Sequence, residues 1–210
     1  MAFDFKKEFK EFYQPKSKPE IIEIPSMNFL AVRGKGDPNE ESGEYSKALE
    51  MLYTISYTLK MSYKGDYKIT DFFQYVVPPL EGFWWQEDIK GVDLTDKSKF
   101  QWISVIRLPD FITKQDFNWA IEEATKKKKI DLSKVELVSI TEGLVVQMLH
   151  VGPYDREIDT VKIMEQYMLE NGYEYDFDEF RHHHEIYLSD PRKTVPEKLK
   201  TIIRHPIRKK

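Results

Sequence analysis

The chain has 210 residues, of which 40% are hydrophobic and 32% charged, and its 13 Phe, 12 Tyr and 4 Trp supply apolar mass for a packed core rather than a disordered chain. A formal net charge of −4 gives no global basic character for nucleic-acid binding. With no cysteine, disulfide scaffolds, thiol nucleophiles and thiolate metal sites are all excluded. No apolar run approaches the roughly 20 residues of a membrane span. The N-terminal MAFDFKKEFKEFY alternates Phe with Lys and Glu and lacks the continuous apolar stretch of a signal peptide. A soluble cytoplasmic protein is expected.

Phe5, Phe9 and Phe12 fall at i, i+4 and i+7, predicting a short amphipathic helix over 3–13 that Pro15 and Pro19 stop. IIEIPSMNFLAVRGKGD then reads as one or two strands ending at Gly34 and Gly36. Tyr45, Ala48, Leu49, Leu52, Ile55 and Leu59 form one apolar stripe, predicting a helix over 43–61. QYVVPPLEGFWW and FQWISVIRLPD read as two strands joined by a polar loop over 86–99. Thr113 with Asp116 is a capping-box variant opening a helix that carries Phe117, Ala120, Ile121 and Ala124. Its end, Lys126–Lys129, puts cations at the negative pole of the helix dipole.

VELVSITEGLVVQMLHVGPYD reads as a hairpin turning at Glu142–Gly143. A second amphipathic helix carries Ile158, Val161, Met164 and Met168 and closes at Asn171–Gly172. DEFRHHHEIYLSDP is the last long strand, and Thr194, Pro196 and Glu197 start a short helix before a basic tail. The order strand–helix–strand–strand therefore occurs twice, with NFLAVRGKG and LVVQMLHVG each preceding a long helix. The expected fold is α+β: duplicated strand–helix–strand–strand units forming an antiparallel sheet, with helices on one face and a ligand cleft on the other. The two pseudo-repeats span about 28–110 and 143–190.

Within Arg181-His182-His183-His184-Glu185-Ile186-Tyr187-Leu188, alternation puts His183, Glu185 and Tyr187 on one face and His182, His184, Ile186 and Leu188 on the other. Apolar Ile186 and Leu188 are expected to face the helices, which turns Glu185 into the cleft. Neighbouring histidines on opposite faces do not chelate one ion, and a metal on His182, His184 and the distant His150 would need a carboxylate partner. No metal or other cofactor is expected. Trp84 and Trp85 point to opposite faces, and Trp102 shares the cleft side with Ser104, so these rings are assigned to flat hydrophobic ligands. Any one of them also serves as ordinary core. Arg33-Gly34-Lys35-Gly36-Asp37 lacks the spacing of a nucleotide-binding loop.

The segments His150-Val151-Gly152-Pro153-Tyr154-Asp155, followed by a helix, and Glu185-Ile186-Tyr187-Leu188-Ser189-Asp190-Pro191 resemble the GyrI-like small-molecule-binding family. The resemblance places a GyrI-like domain over 21–208 after an N-terminal extension, 1–20. It implies a ligand cleft between the halves and a carboxylate in an aromatic pocket, the position that Glu185 holds here. Some stand-alone members hydrolyse cyclopropane-containing genotoxic compounds. About 25 residues precede the first strand, too few for a helix-turn-helix, so a transcription activator is not expected.

The expected function is therefore detoxifying hydrolysis of cyclopropanoid or similarly electrophilic compounds, without cofactor. Glu185 is the general base, and Tyr154 or Tyr187 supplies the phenol that stabilises negative charge on a ligand oxygen. Trp84, Trp85, Trp102, His183 and Tyr187 hold the ligand. The alternatives are a non-catalytic protein that sequesters lipophilic or cationic drugs, and a gyrase-inhibitor-type interaction module. The expected partner is a hydrophobic or cationic small molecule, with no nucleic acid and no membrane, and the protein is expected to be a monomer or weak homodimer.

Overall fold

The computed structural model of the chain describes residues 2–87, 89, 93 and 96–210. Its strands are β1 (Glu20–Lys35), β2 (Leu80–Trp85), β3 (Gln101–Arg107), β4 (Glu136–Val151), β5 (Tyr173–Tyr175), β6 (His183–Tyr187) and β7 (Lys200–Lys209). The helices are α1 (Phe5–Glu8), α2 (Lys10–Tyr13), α3 (Glu44–Lys60), α4 (Lys114–Lys128) and α5 (Glu157–Glu170). All strand pairings are antiparallel, in the order β4-β1-β3-β2-β6-β7-β5. β4 also pairs with β7, so the sheet closes into a barrel with β5 added beside β7. The α+β class and the antiparallel sheet carrying helices are as expected, and strand–helix–strand–strand order occurs twice, as β1-α3-β2-β3 and as β4-α5-β6-β7 with β5 intervening.

Closure depends on two strands of 16 residues each, β1 and β4. The segment expected to turn back at Glu142–Gly143 is one continuous strand. Gly143 takes φ +66°, a left-handed conformation open to glycine, and Pro25, which has no N–H, stands at the corresponding break in β1. The Glu-Gly signal thus marks a bend within a strand. Beyond that bend β4 stays paired with β1 as far as Gln147 and gains β7 on its other edge, from Val145 to Val151.

The C-terminal segment is the second correction. The expected helix shrinks to one 3-10 turn at Pro196–Lys198, and the tail becomes β7, the strand that closes the barrel. Ile202, Ile203, Arg204, His205 and Ile207 are buried along it. The second unit therefore runs past 190 to β7, and the strand around the histidines contracts to His183–Tyr187. The helix expected over 3–13 is broken at Phe9 into α1 and α2.

Alternation along each strand sorts side chains between two environments. Leu30, Val32, Trp84, Trp102 and Ile106 pack under α3 and α4 with Leu52, Ile55, Phe117 and Ala120. Val146, Met148, Ile203 and Ile207 pack under α5 with Met164 and Met168. The other face is the barrel interior, containing Phe29, Ala31, Phe83, Ile103, Val105 and Val145. Phe5 and Tyr13 of α1 and α2 close it by packing on Tyr75, Ile186 and Ile202.

The interior also holds an ionic cluster. His184 Nδ1 is 2.8 Å from Glu142, and its Nε2 is 3.1 Å from Glu81, an ion-pair contact off the line of a good hydrogen bond. Arg204 donates to Glu142 and Gln147 at 2.8 and 2.9 Å, and to the Phe12 carbonyl at 2.6 Å. Gln147 donates to the Glu11 carbonyl, so the N-terminal helices are fastened to the barrel by polar contacts as well as by rings. His184 and Ile186 thus face a plugged interior. Glu185 faces the side on which α3 and α5 lie, and the open cavity is on that helix-bearing side.

Candidate functional site

A cavity of about 1000 Å³ opens between α3 and the start of α5. Its floor comes from the sheet, through Trp84 of β2 and Glu185 and Tyr187 of β6, and its walls include Tyr45, Leu49 and Tyr53 of α3. Glu157 and Tyr154 enter from the segment following β4. Gly152 takes φ +144° to redirect the chain there, and His150 fastens the turn, with Nδ1 2.8 Å from Thr160 Oγ1 and Nε2 3.2 Å from the Pro153 carbonyl. The His-x-Gly-Pro-Tyr motif is therefore a corner that aims Tyr154 and Glu157 at Glu185.

Glu185 is 8% exposed and Glu157 2%. Glu185 accepts from His183 Nε2 at 2.9 Å and also bonds Tyr187 and Glu157. Burial alone would raise its pKa, but these donors outweigh burial and hold it below the usual carboxylate value. Glu157 is pushed the other way: burial, then the charge of Glu185 and the hydrogen bond to it, raise its pKa well above the usual value. Two adjacent carboxyls in one buried site thus hold a single proton, with Glu157 the acid and Glu185 the carboxylate.

Phenols surround the pair. The Tyr187 hydroxyl accepts from Trp84 Nε1 at 3.0 Å, and Tyr45 stands beside Tyr187. Tyr154 meets Tyr187 edge-on with centroids 5.9 Å apart. Burial, with the charge of Glu185 nearby, pushes the Tyr154 pKa up to about 12, which keeps it a hydrogen-bond donor at neutral pH. Lys97, paired with Asp155 at 2.8 Å, stands at the rim.

Of the residues singled out by sequence, Glu185, Tyr154, Trp84 and Tyr187 line the cavity, and His183 lies directly behind Glu185. Trp85 and Trp102 do not line it. Trp85 points to the other face and stacks on His182 at 4.1 Å. Trp102 shares the cavity's face of the sheet, which is the helix-bearing face and not the opposite one expected for the cleft, but is fully buried beneath Tyr45, an edge-on contact at 5.1 Å. Sequence reading missed Tyr45, which looked like one more residue of an apolar stripe, and Glu157, which looked like an ordinary acidic residue in a helix first turn. Much of the polar loop expected over 86–99 lies outside the described residues.

His150, His182 and His184 make separate contacts and do not gather around one point. Glu157, His183 and Glu185 do each offer a ligand atom within 4.8 Å of the others. His183, however, has both ring nitrogens engaged, to His205 at 2.6 Å and to Glu185, and burial beside Glu185 favours the protonated form of Glu157. A cation there would have to displace both hydrogens. The opposed shifts of Glu157 and Glu185 suit the set to acid–base chemistry.

No helix among the described residues is long and apolar enough to cross a membrane. Comparison with solved structures gives a hydrolase from Listeria innocua, 49% identical, covering 99% of this chain and 100% of that one, with a TM-score of 0.89. An uncharacterised conserved protein from Listeria innocua is 52% identical over 99% of this chain and 100% of its own, with a TM-score of 0.93. The C-terminal domain of EcmrR, 14% identical over 92% of this chain and 98% of its own with a TM-score of 0.55, shares the fold. Comparison with curated proteins gives no match. The GyrI-like small molecule binding domain matches residues 17–208, nearly the whole chain, and the protein belongs to that family.

Proposed function

We propose that the protein takes flat hydrophobic molecules into the cavity and hydrolyses cyclopropanoid or similarly electrophilic ones, with Glu185 as general base. The feature that carries this reading is a buried pair of carboxyls on the wall of an aromatic cavity, with the Glu185 pKa held down and that of Glu157 pushed up, which favours one shared proton. The two Listeria innocua proteins named as hydrolases, 49% and 51% identical, support it.

For a cyclopropane conjugated to a carbonyl, Glu185 takes a proton from water as the water oxygen bonds to a ring carbon. The strained C–C bond breaks and its electron pair moves onto the carbonyl oxygen. Tyr187 is committed to Glu185 and Trp84, so Tyr154 is the phenol assigned to that oxygen. After attack the carboxyl pair holds two protons and returns one to the enolate, ending with the single proton it began with. The product is the substrate plus one water, and general-base assistance contributes about 10²–10⁴-fold.

The test is to incubate the protein and its Glu185→Gln variant with a cyclopropane-bearing alkylator and follow the compound by mass spectrometry. A ring-opened, water-added product from the wild type and not from the variant is expected. A compound bound intact by both would instead favour sequestration. A specific feature fits that second reading: one buried anion ringed by Trp84, Tyr45, Tyr154 and Tyr187 also suits a lipophilic cation.

A further inference from the structure

We propose that His205 of β7 is a positioning residue that donates to His183 Nδ1, keeps His183 neutral and so keeps Glu185 available as a base. The inference rests on the base role given to Glu185 above.

His205 Nε2 lies 2.6 Å from His183 Nδ1, and His183 Nε2 lies 2.9 Å from Glu185 Oε1. The rings are 3% and 1% exposed, so water does not supply alternative partners. Each contact holds one hydrogen. Glu185 as a carboxylate accepts, so His183 donates from Nε2. Two arrangements then remain for the other contact. If His183 were an imidazolium donating from Nδ1, a neutral His205 would carry its own hydrogen on Nδ1, which is buried without a hydrogen-bond partner. A stranded N–H costs more than a stranded lone pair. In the second arrangement His205 donates from Nε2 to a neutral His183 and leaves only a lone pair at the dead end. The structure favours the second.

The surroundings hold His205 neutral. Tyr175 and Phe177 set their rings edge-on against it, with centroids 5.3 and 5.1 Å away. Burial pushes its pKa well below that of an exposed histidine. The titratable groups around the two rings are Glu185 and Tyr187 on β6, Glu157 on α5 and Tyr175 on β5. With His205 in place, His183 gives Glu185 a neutral N–H. Without it, and with water admitted to accept from Nδ1, His183 can take a second proton, and the resulting imidazolium would hold Glu185 in an ion pair and weaken it as a base. This assigns a role to the basic C-terminal tail: the strand that closes the barrel also delivers the residue behind the base.

The experiment compares His205→Ala, which loses the donor and leaves room for a water to accept from Nδ1, with His205→Gln, whose amide N–H reaches the same place. Nitrogen NMR of histidine-labelled protein across pH reads the protonation of His183, and the pH–rate profile with a cyclopropane-bearing alkylator reads Glu185. In the wild type His183 should carry hydrogen on Nε2 alone at neutral pH. In His205→Ala it should take a second proton, and the acid limb of the rate should move up by about one pH unit, a tenfold loss on that limb. His205→Gln should restore both. Unchanged His183 signals in His205→Ala, with only lower thermal stability, would overturn the proposal. If the wild type turns nothing over, the base role of Glu185 fails by itself, and the NMR comparison still decides what His205 does to His183.

Discussion

Trp84 donates its indole N–H to the Tyr187 hydroxyl at 3.0 Å, joining β2 to β6 across the cavity floor. Tyr187 in turn bonds Glu185, so one hydroxyl serves both the sheet and the carboxylate. Tyr187→Phe strands the buried Trp84 N–H and removes a donor from Glu185. Chemical denaturation should register a loss of about 1–3 kcal/mol. A titration should find the Glu185 pKa higher than in the wild type, because burial is then less opposed.

Only one of the three tryptophans assigned to the ligand by sequence reaches it. Ligand-induced quenching of fluorescence should therefore disappear largely in Trp84→Phe and persist in Trp85→Phe. Equal loss in both variants would mean that the ligand binds elsewhere.

Glu157 supplies the shared proton. Glu157→Gln preserves shape but cannot surrender a proton, so turnover should fall by about 10²–10⁴-fold while binding of the intact compound persists. Comparing steady-state rates with equilibrium binding separates the two effects.

The barrel interior gives a stability prediction with a defined sign. Burial opposes charge on His184, but Glu142 and Glu81 outweigh it and raise its pKa. That contribution is complete below the ordinary histidine value of 6.5 and is lost as pH rises through the folded value. Burial likewise opposes charge on Glu142, but His184 and Arg204 pull its pKa down from 4.5 to about 2, so its contribution is complete above 4.5 and lost as pH falls toward 2. The cluster should stabilise most between pH 4.5 and 6.5. A thermal-melt series across pH should show this maximum in the wild type and a flatter curve in His184→Gln. Arg204→Met, which leaves Glu142 short of its cation, should cost about 3–5 kcal/mol.

Local pattern made the helices and most central strands legible. The stripe on α3 and the Thr113–Asp116 capping box depend on neighbours a few residues apart, and the structure has both. Alternation also grouped His183, Glu185 and Tyr187 on one face correctly. The barrel was not legible, because closure depends on pairing between β4 and β7, distant in sequence. β7 was hidden by its composition: Arg204 and His205 read as tail charge, yet each is buried against a partner from elsewhere, Glu142 for one and His183 for the other. Glu142–Gly143 misled for a related reason. A glycine with positive φ serves a bend as well as a turn, and only the pairing partner distinguishes them.

The cavity was legible in its carboxylate and missed in its acid. Glu185 announces itself because apolar Ile186 and Leu188 take the opposite face of the strand. Glu157 has no such signal, since an acidic residue at a helix N-terminus is ordinary. What sets it apart is burial against Glu185, which arises when the Pro153 corner folds α5 back over β6.

Whether Glu157 and Glu185 share a single proton is measured most directly by infrared difference spectroscopy of the wild type against Glu157→Gln at neutral pH. A protonated-carboxyl band present in the wild type and absent from the variant is the predicted result. If no such band appears because both carboxyls are ionised, the acid–base pairing is contradicted, and with it the activation of water by Glu185.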